Sequence, residues 1–382
     1  MKIKFLMSQK KQLSTEYEKI LKLYPQNKIY SRMKHYFRPF VMFINDTNFS
    51  SNEINTDKFG FRKTHKNNSL LGLEEIKKLY QNCEVFLGSS AVFGSTLPSD
   101  IETLSSMISM SNKNNIYCQN FGIRGSTSHQ EVLTFLHFKQ YLPKIKKLYI
   151  MTGINDVLLA LSNDSMFYPE FGGIFSEEQR FSLFWQQYTS FANDKWLLGK
   201  YNLIDLIDRC AKKFRIFRYI LLIFFSWWGS PSKIKKQTKT MLNFTQKINL
   251  IKNTVKNDFI ILNSLSKKER FKVIFLLHPA LGWSKKKMTQ EERLVYEYQK
   301  KTINNYEKIN SKSSYLIQSK FYKKLCKLLK FKYLDINKIF RLKKNQNLTL
   351  FSDFCHLTPL ANKIIVKKLF ENEKNRKNNI IY

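Results

Sequence analysis

Five short apolar runs, each followed by a turn and a stretch of helical periodicity, constrain the fold of this chain more than any other sequence feature. The runs are rich in β-branched and aromatic residues and occupy positions 83–87, 115–119, 147–152, 271–277 and 331–334. Helical patterns follow them, as at 127–140 and 359–370. Such alternation is typical of a parallel sheet covered by helices on both faces. We therefore predict an α/β fold, a three-layer αβα sandwich with a parallel five-stranded sheet.

Two parts of the 382-residue chain do not follow this alternation. Residues 1–80 are polar and basic, with apolar anchors at 36–43 and 58–62, and we expect them to form an N-terminal arm packed on the core. Residues 81–382 would then form the main domain. Within it, the aromatic-rich interval at about 162–240 is much longer than a usual crossover connection, which indicates a helical insertion.

The predicted insertion contains an apolar run at 219–228, from Tyr219 to Trp228, with basic residues on both sides. A run of about ten residues is too short to span a bilayer. We interpret it as the buried centre of a helical cap. Two alternatives stay open, namely a peripheral membrane contact with tryptophan and arginine at headgroup level and a surface for a protein partner.

The composition limits the classes of partner and compartment. Lys+Arg 65 against Asp+Glu 29 gives a net charge of +36, which would attract polyanions or anionic lipid surfaces. The charge is spread along the whole sequence without a basic-aromatic recognition motif, so nucleic-acid binding is not expected. The five cysteines form no CxxC pair and no cluster with histidine at metal-ligand spacing, which indicates a reducing compartment. The N-terminus lacks the apolar stretch of a secretory signal, and a cytoplasmic location is expected, with membrane association through residues 219–228 as the alternative.

The first candidate site residue is Ser90, which follows the strand-like run at 83–87 in a small-residue turn, Gly88-Ser89-Ser90-Ala91. A turn of this kind exposes a side chain at the sheet edge and presents backbone N–H groups to an anion. A serine hydroxyl still needs an adjacent base to become a nucleophile. On local sequence alone Ser90 could equally be a helix N-cap, and its neighbour Ser89 is a rival for the nucleophile.

The candidate base is His356, one of six histidines and the one that lies three residues after a carboxylate, Asp353. A carboxylate on one imidazole nitrogen fixes the tautomer and stabilises the imidazolium that forms when the other nitrogen takes a proton. The pair follows the last predicted strand and precedes the last helix. Cys355 is too close to His356 in sequence to face it and is interpreted as packing, while His278 at the end of the fourth run is a secondary candidate.

Two further residues at predicted strand ends could bind an oxyanion. Gly125 follows the second run and would let a backbone N–H approach a substrate closely, and Asn155 follows the third run with a side-chain amide that can donate. Each is unremarkable alone, because Gly153-Ile154-Asn155-Asp156 could be a turn with a helix cap. Their occurrence at successive strand ends is what indicates a site.

Ser90 in its glycine-led turn, Gly125 in the segment 120–128, Asn155 in the segment 153–156, and Asp353 with His356 resemble, in this order, the four sequence blocks of the SGNH/GDSL hydrolase superfamily. The resemblance covers roughly residues 57–370 apart from the insertion. It implies a flavodoxin-like sheet with strand order 2-1-3-4-5. It also implies that Ser90 is the nucleophile, His356 the base and Asp353 its orienting carboxylate, with Ser90, Gly125 and Asn155 forming the oxyanion hole. Ser89 departs from the family signature, which often has aspartate or glycine before the nucleophile.

These observations lead to three functional hypotheses. The first is a serine ester hydrolase that forms an acyl-serine, needs neither a metal nor an organic cofactor, and acts on O-acyl, especially acetyl, esters of a small molecule, carbohydrate or lipid. The second is a sugar O-acyltransferase that uses the same acyl-serine, which a water-excluding insertion over Ser90 would favour. The third is a membrane-surface or partner-binding protein with a vestigial serine site.

Overall fold

The computed structural model of the chain describes residues 2–38, 41–111, 116–161 and 242–378. The chain divides into two compact units. The first comprises Met1–Asn163, Phe167–Ile174 and Phe244–Tyr382, and the second, Asp164–Met166 with Phe175–Asn243, lies almost wholly outside the described residues. All elements given below belong to the first unit.

The first 80 residues contain helices and two small antiparallel sheets. Strand β1 pairs with β2, and β3 pairs with β4. The elements are α1 (Lys2–Leu23), α2 (Asn27–Arg32), β1 (His35–Arg38), β2 (Met42–Asn45), β3 (Thr64–Lys66), β4 (Ser69–Leu71) and α3 (Leu73–Leu79). This segment lies in the same compact unit as the main sheet. The division into an arm at 1–80 and a domain at 81–382 stays a prediction.

The main sheet has five parallel strands in the order β6-β5-β7-β8-β9. They are β5 (Asn82–Gly88), β6 (Tyr117–Gly122), β7 (Lys144–Thr152), β8 (Lys272–Leu277) and β9 (Lys332–Asp335). This is the 2-1-3-4-5 order, so the predicted flavodoxin-like sheet is confirmed. Strand β6 continues three residues beyond its predicted end because Asn120, Phe121 and Gly122 still pair with β5.

Helices cover both faces of the sheet. Ile274 and Leu276 of β8 join a buried cluster with Ile365 and Leu369, whereas Phe275 between them stacks on Tyr322 at a ring-centroid distance of 4.4 Å. Successive strand residues point to opposite faces, so these contacts define the two outer layers. The helices after β5 are α4 (Ser90–Phe93), α5 (Leu104–Ser111), α6 (Ser128–Phe138), α7 (Ile154–Leu161), α8 (Phe244–Glu269), α9 (Leu281–Ser284), α10 (Gln290–Thr302), α11 (Tyr306–Ile309), α12 (Lys312–Leu329), α13 (Ile336–Phe340) and α14 (Pro359–Asn378).

The predicted helical insertion at about 162–240, including the apolar run at 219–228, lies outside the described residues. Among the residues that are described, no helix has both the length and the apolar character needed to cross a membrane.

Candidate active site

The structure distinguishes the two adjacent serines at the end of β5. Ser89 is only 2% exposed, whereas Ser90 is half-buried and begins α4. Gly88 allows the end of β5 to lie close to β7, since a Cβ at this position would lie 2.6 Å from the carbonyl oxygen of Met151. The first serine is thus buried, and the second is partly exposed at the carboxyl edge of the sheet.

His356 and Asp353 lie in a turn just before α14, and the two ends of this turn pair with each other. Phe351 and Leu357 form an antiparallel bridge across the turn. Inside it, Oδ1 of Asp353 accepts hydrogen bonds from the backbone N–H groups of Cys355 at 2.8 Å and His356 at 2.7 Å. These bonds fix the carboxylate in the turn, so that its second oxygen is directed at the His356 ring.

A continuous line of hydrogen bonds joins the three predicted catalytic residues. Nδ1 of His356 bonds to Oδ2 of Asp353, and Nε2 of His356 lies 2.7 Å from Oγ of Ser90. A carboxylate can only accept, so Nδ1 carries the hydrogen and Nε2 of the neutral ring is free to accept the serine proton. The tautomer needed for a general base is thereby fixed by the turn.

The charge state of Asp353 follows from its surroundings. Burial alone would raise the pKa of this carboxyl, but the adjacent His356 and the two backbone N–H donors outweigh burial and hold the pKa below its usual value. Asp353 is therefore a carboxylate at neutral pH. It can stabilise an imidazolium on His356.

The candidate oxyanion-binding residues follow the two strands that flank β5. Gly88 pairs with Gly122 on one side and with Met151 on the other, so the carboxyl ends of the three strands are adjacent. Gly125 comes three residues after β6, is buried, and has φ +81°, a left-handed conformation that favours glycine.

Asn155, near the start of α7, is 4% exposed. Its Nδ2 donates to the carbonyl oxygen of Ser126 at 2.7 Å, which ties it to the loop that contains Gly125. An amide group has two N–H donors, and the second can bind another acceptor. Hydrogen bonds thus join Ser90, His356 and Asp353, and strand order places Gly125 and Asn155 beside the same sheet edge.

Sequence patterns did not reveal the residues that support this edge from the N-terminal segment. Buried Arg62 donates to the carbonyl oxygens of Phe93 and Gly94, at the C-terminal end of the helix α4 that begins with Ser90, at 3.3 and 2.7 Å. Asn45 on β2 donates to the carbonyl oxygen of Gly122 at 3.0 Å. The only sequence signal is the apolar anchor at 58–62. It contains Arg62 but does not indicate which groups accept its hydrogen bonds.

The secondary candidate His278 and the neighbouring thiol of Cys355 contribute no side chain to the hydrogen-bonded line. His278 is fully buried, its Nδ1 lies 2.7 Å from the carbonyl oxygen of Pro279, and burial followed by the nearby His356 lowers its pKa to about 3. Cys355 is 4% exposed, and burial followed by the charge of Asp353 raises the pKa of its thiol. A neutral, buried thiol is a poor nucleophile.

Among the described residues, Asp353, Cys355 and His356 place metal-ligand atoms within 4.8 Å of one another. Nδ1 of His356 and Oδ2 of Asp353 are in direct hydrogen-bond contact with each other. The arrangement is that of a hydrogen-bonded pair.

No protein-family model and no curated protein matches the chain. Similar solved structures include an acetyl xylan esterase, with 12% identity and a TM-score of 0.38, covering 76% of this chain and 98% of that one. A GDSL-like lipase from Bacteroides thetaiotaomicron has 14% identity and a TM-score of 0.35, covering 78% and 90%. An extracellular lipase from Streptomyces rimosus has 11% identity and a TM-score of 0.33, covering 76% and 99%. TM-scores this low support no functional inference.

The fold class therefore rests on the chain's own topology. The chain has the αβα sheet and the strand order that the resemblance to SGNH/GDSL hydrolases implies. The residues of the four sequence blocks follow β5, β6, β7 and β9 in that order. The resemblance in fold is thus confirmed.

Proposed function

We propose that this chain is a serine ester hydrolase that acts through an acyl-serine intermediate. The observation that carries the proposal is the hydrogen-bonded line from Ser90 through His356 to Asp353, in which each polar atom has the role that nucleophilic catalysis requires. Ser90 is the nucleophile, His356 the general base and acid, and Asp353 the residue that orients His356. The backbone N–H groups of Ser90 and Gly125 and the side-chain amide of Asn155 form the oxyanion hole.

In the first half of the reaction, Oγ of Ser90 attacks the ester carbonyl while Nε2 of His356 takes the serine proton. The carbonyl oxygen becomes an oxyanion that the three N–H donors stabilise. When the tetrahedral intermediate collapses, the bond to the leaving alkoxy group breaks, and that oxygen takes the proton from His356. An alcohol leaves and the acyl group stays on Ser90.

In the second half, His356 takes a proton from water, and the hydroxide oxygen attacks the acyl carbonyl. The second tetrahedral intermediate collapses, Oγ of Ser90 recovers the proton from His356, and a carboxylic acid leaves. Asp353 stays ionised in both halves because its neighbours hold its pKa low. The whole cycle uses side chains and backbone groups of this chain together with water.

For the substrate we propose O-acyl esters, in particular acetyl esters, of a carbohydrate or a lipid. A panel of acetylated oligosaccharides, acetylated phospholipid analogues and p-nitrophenyl acetate would test this class through acetate release. Transfer of acetate from the donor to an added sugar acceptor, in place of release to water, would contradict hydrolysis.

Labelling with a fluorophosphonate probe tests the nucleophile. The wild type should be labelled, and Ser90→Ala should not. Ser89→Ala should be labelled to the same extent as the wild type, because Ser89 is buried. Ser89→Ala is the matched control, since it removes the same atom from the neighbouring residue. Labelling that persists in Ser90→Ala and disappears in Ser89→Ala would identify Ser89 as the nucleophile. An unlabelled wild type would refute the proposed function.

A further inference from the structure

The hairpin of β1 and β2 contacts the loop after β6 through two residues that face each other across the hairpin. His35 on β1 and Asn45 on β2 are direct cross-strand partners. His35 forms a hydrogen bond with the backbone of Arg124 in this loop, and Asn45 forms hydrogen bonds with the backbone of Arg124 and of Gly122 at the end of β6. The loop leads directly to Gly125, whose N–H is one of the proposed oxyanion donors.

Asn45 uses both ends of its side-chain amide. Nδ2 donates to the carbonyl oxygens of Gly122 and Gly60, both at 3.0 Å, and Oδ1 accepts from the backbone N–H of Arg124 at 3.0 Å. The side chain is fully buried. A buried amide with this set of partners cannot rotate without leaving polar groups unpaired, at roughly 1–3 kcal/mol for each unpaired group. Asn45 therefore holds the backbone on both sides of Ile123.

His35 contacts the next peptide group. Its Nε2 lies 3.1 Å from the carbonyl oxygen of Arg124. A carbonyl oxygen can only accept, so Nε2 carries the hydrogen and donates. Burial, followed by the charge of Arg124, lowers the pKa of His35 to about 3, so the ring is neutral at neutral pH and its Nε2–H tautomer makes this bond.

The carbonyl of Arg124 and the N–H of Gly125 belong to the same planar trans peptide, in which the two bonds point in opposite directions. A carbonyl held towards His35 therefore fixes the Gly125 N–H on the side away from the hairpin. This restraint matters because glycine populates positive and negative φ with similar ease, so the peptide before or after Gly125, with φ +81°, could otherwise rotate at little cost.

We propose that His35 and Asn45 are positioning residues that hold the Arg124–Gly125 peptide so that the Gly125 N–H is directed at the oxyanion. The proposal rests on the proposed function, since it assigns a purpose to the N-terminal hairpin in that same site. Neither side chain touches the reacting atoms. Their effect on the reaction passes through the peptide that they orient.

The experiment compares His35→Ala, Asn45→Ala and His35→Gln with the wild type, using p-nitrophenyl acetate as substrate. Loss of one oxyanion donor typically lowers kcat by about 10²–10³-fold, and partial misorientation should lower it by roughly ten- to a hundred-fold with little change in KM. Inhibition by a boronic acid, whose tetrahedral adduct needs the same donors, should weaken in parallel. His35→Gln should restore much of kcat, because a glutamine amide can donate to the same carbonyl.

His137→Ala is the matched control, since His137 is a half-buried histidine later in the chain with a ring contact to Phe138. It should leave kcat unchanged. Hydrogen exchange provides a readout that does not depend on turnover. The amides of residues 122–126 should exchange faster in His35→Ala and Asn45→Ala than in the wild type or His35→Gln.

Each result decides between defined outcomes. A wild type that hydrolyses no ester refutes the proposed function, while faster exchange at 122–126 in the variants would still show that the hairpin holds the loop. Wild-type kcat in folded His35→Ala overturns the proposal. A fall in kcat that His35→Gln does not relieve, or that His137→Ala shares, also overturns it, because the loss would then not come from the hydrogen bond to Arg124.

Discussion

Nη1 of Arg62 lies 2.7 Å from the carbonyl oxygen of Gly94, the residue that ends the helix carrying Ser90. The same guanidinium is fully buried and donates from Nε to Asp100 at 2.6 Å. The last carbonyls of a helix have no intrahelical partners and carry partial negative charge, so a buried cation at this end satisfies both needs. The N-terminal segment thus binds the C-terminal end of the helix that carries Ser90.

Arg62→Met should reduce the free energy of unfolding by about 3–5 kcal/mol, because it leaves the Asp100 carboxylate and two helix carbonyls without their cation in the interior. Urea unfolding monitored by circular dichroism measures the change. The exposed Lys58→Met serves as the control and should stay within about 0.5 kcal/mol of the wild type. Wild-type stability in Arg62→Met would show that these bonds contribute nothing to the fold.

Asn155→Ala should lower kcat for p-nitrophenyl acetate by about 10²–10³-fold with little effect on KM, since an oxyanion donor acts mainly in the transition state. Steady-state kinetics measures both constants. Asn253→Ala, on the exposed surface of α8, removes the same amide and should have no effect. An equal rise in KM with kcat preserved would instead assign Asn155 to substrate binding.

Asp353→Asn should reduce kcat by roughly 10²–10⁴-fold, because the amide cannot stabilise an imidazolium and its N–H group favours the wrong tautomer of His356. Stability should respond as well. The folded pKa of Asp353 lies below the ordinary value of 3.8, so its carboxylate stabilises the fold above that pH, and this contribution is lost as the pH falls through the folded pKa. The stability difference between wild type and variant should therefore be present at pH 7 and shrink below about 4.

His278→Leu should reduce the loss of unfolding free energy that occurs when the pH is lowered from 7 to 5. Burial lowers the pKa of His278 to about 3, whereas an unfolded histidine titrates near 6.5. Between these values the unfolded chain binds a proton that the folded chain excludes, so acidification destabilises the wild type by up to about 1.4 kcal/mol per pH unit through this residue. Urea unfolding at pH 7 and pH 5 should give a smaller stability loss in the variant. Equal losses in both proteins would show that the pKa of His278 is the same in the folded and unfolded chains.

The sheet could be predicted, and the residues of the candidate site could be singled out, because their signals are local. β-branched runs indicate the strands, and Ser90 and His356 each lie in a short turn with an informative neighbour. Asn45 and His35 carry no such signal, since their bonds reach partners 77 and 89 residues away. Arg62 lies in a basic segment and resembles a surface cation. Its burial depends on Asp100 and Tyr30, which no local pattern connects to it.

The bond between Ser90 and His356 joins residues 266 positions apart, and it has a consequence for the order of folding. Ser90 can reach its place after β5 once the neighbouring strands are paired, whereas His356 reaches Ser90 only when the turn before α14 docks against them. Contacts of such large sequence separation form late because closing the intervening loop is entropically unfavourable. A partly folded or still growing chain would therefore display the serine without its base, and reactivity would begin only when the fold is complete.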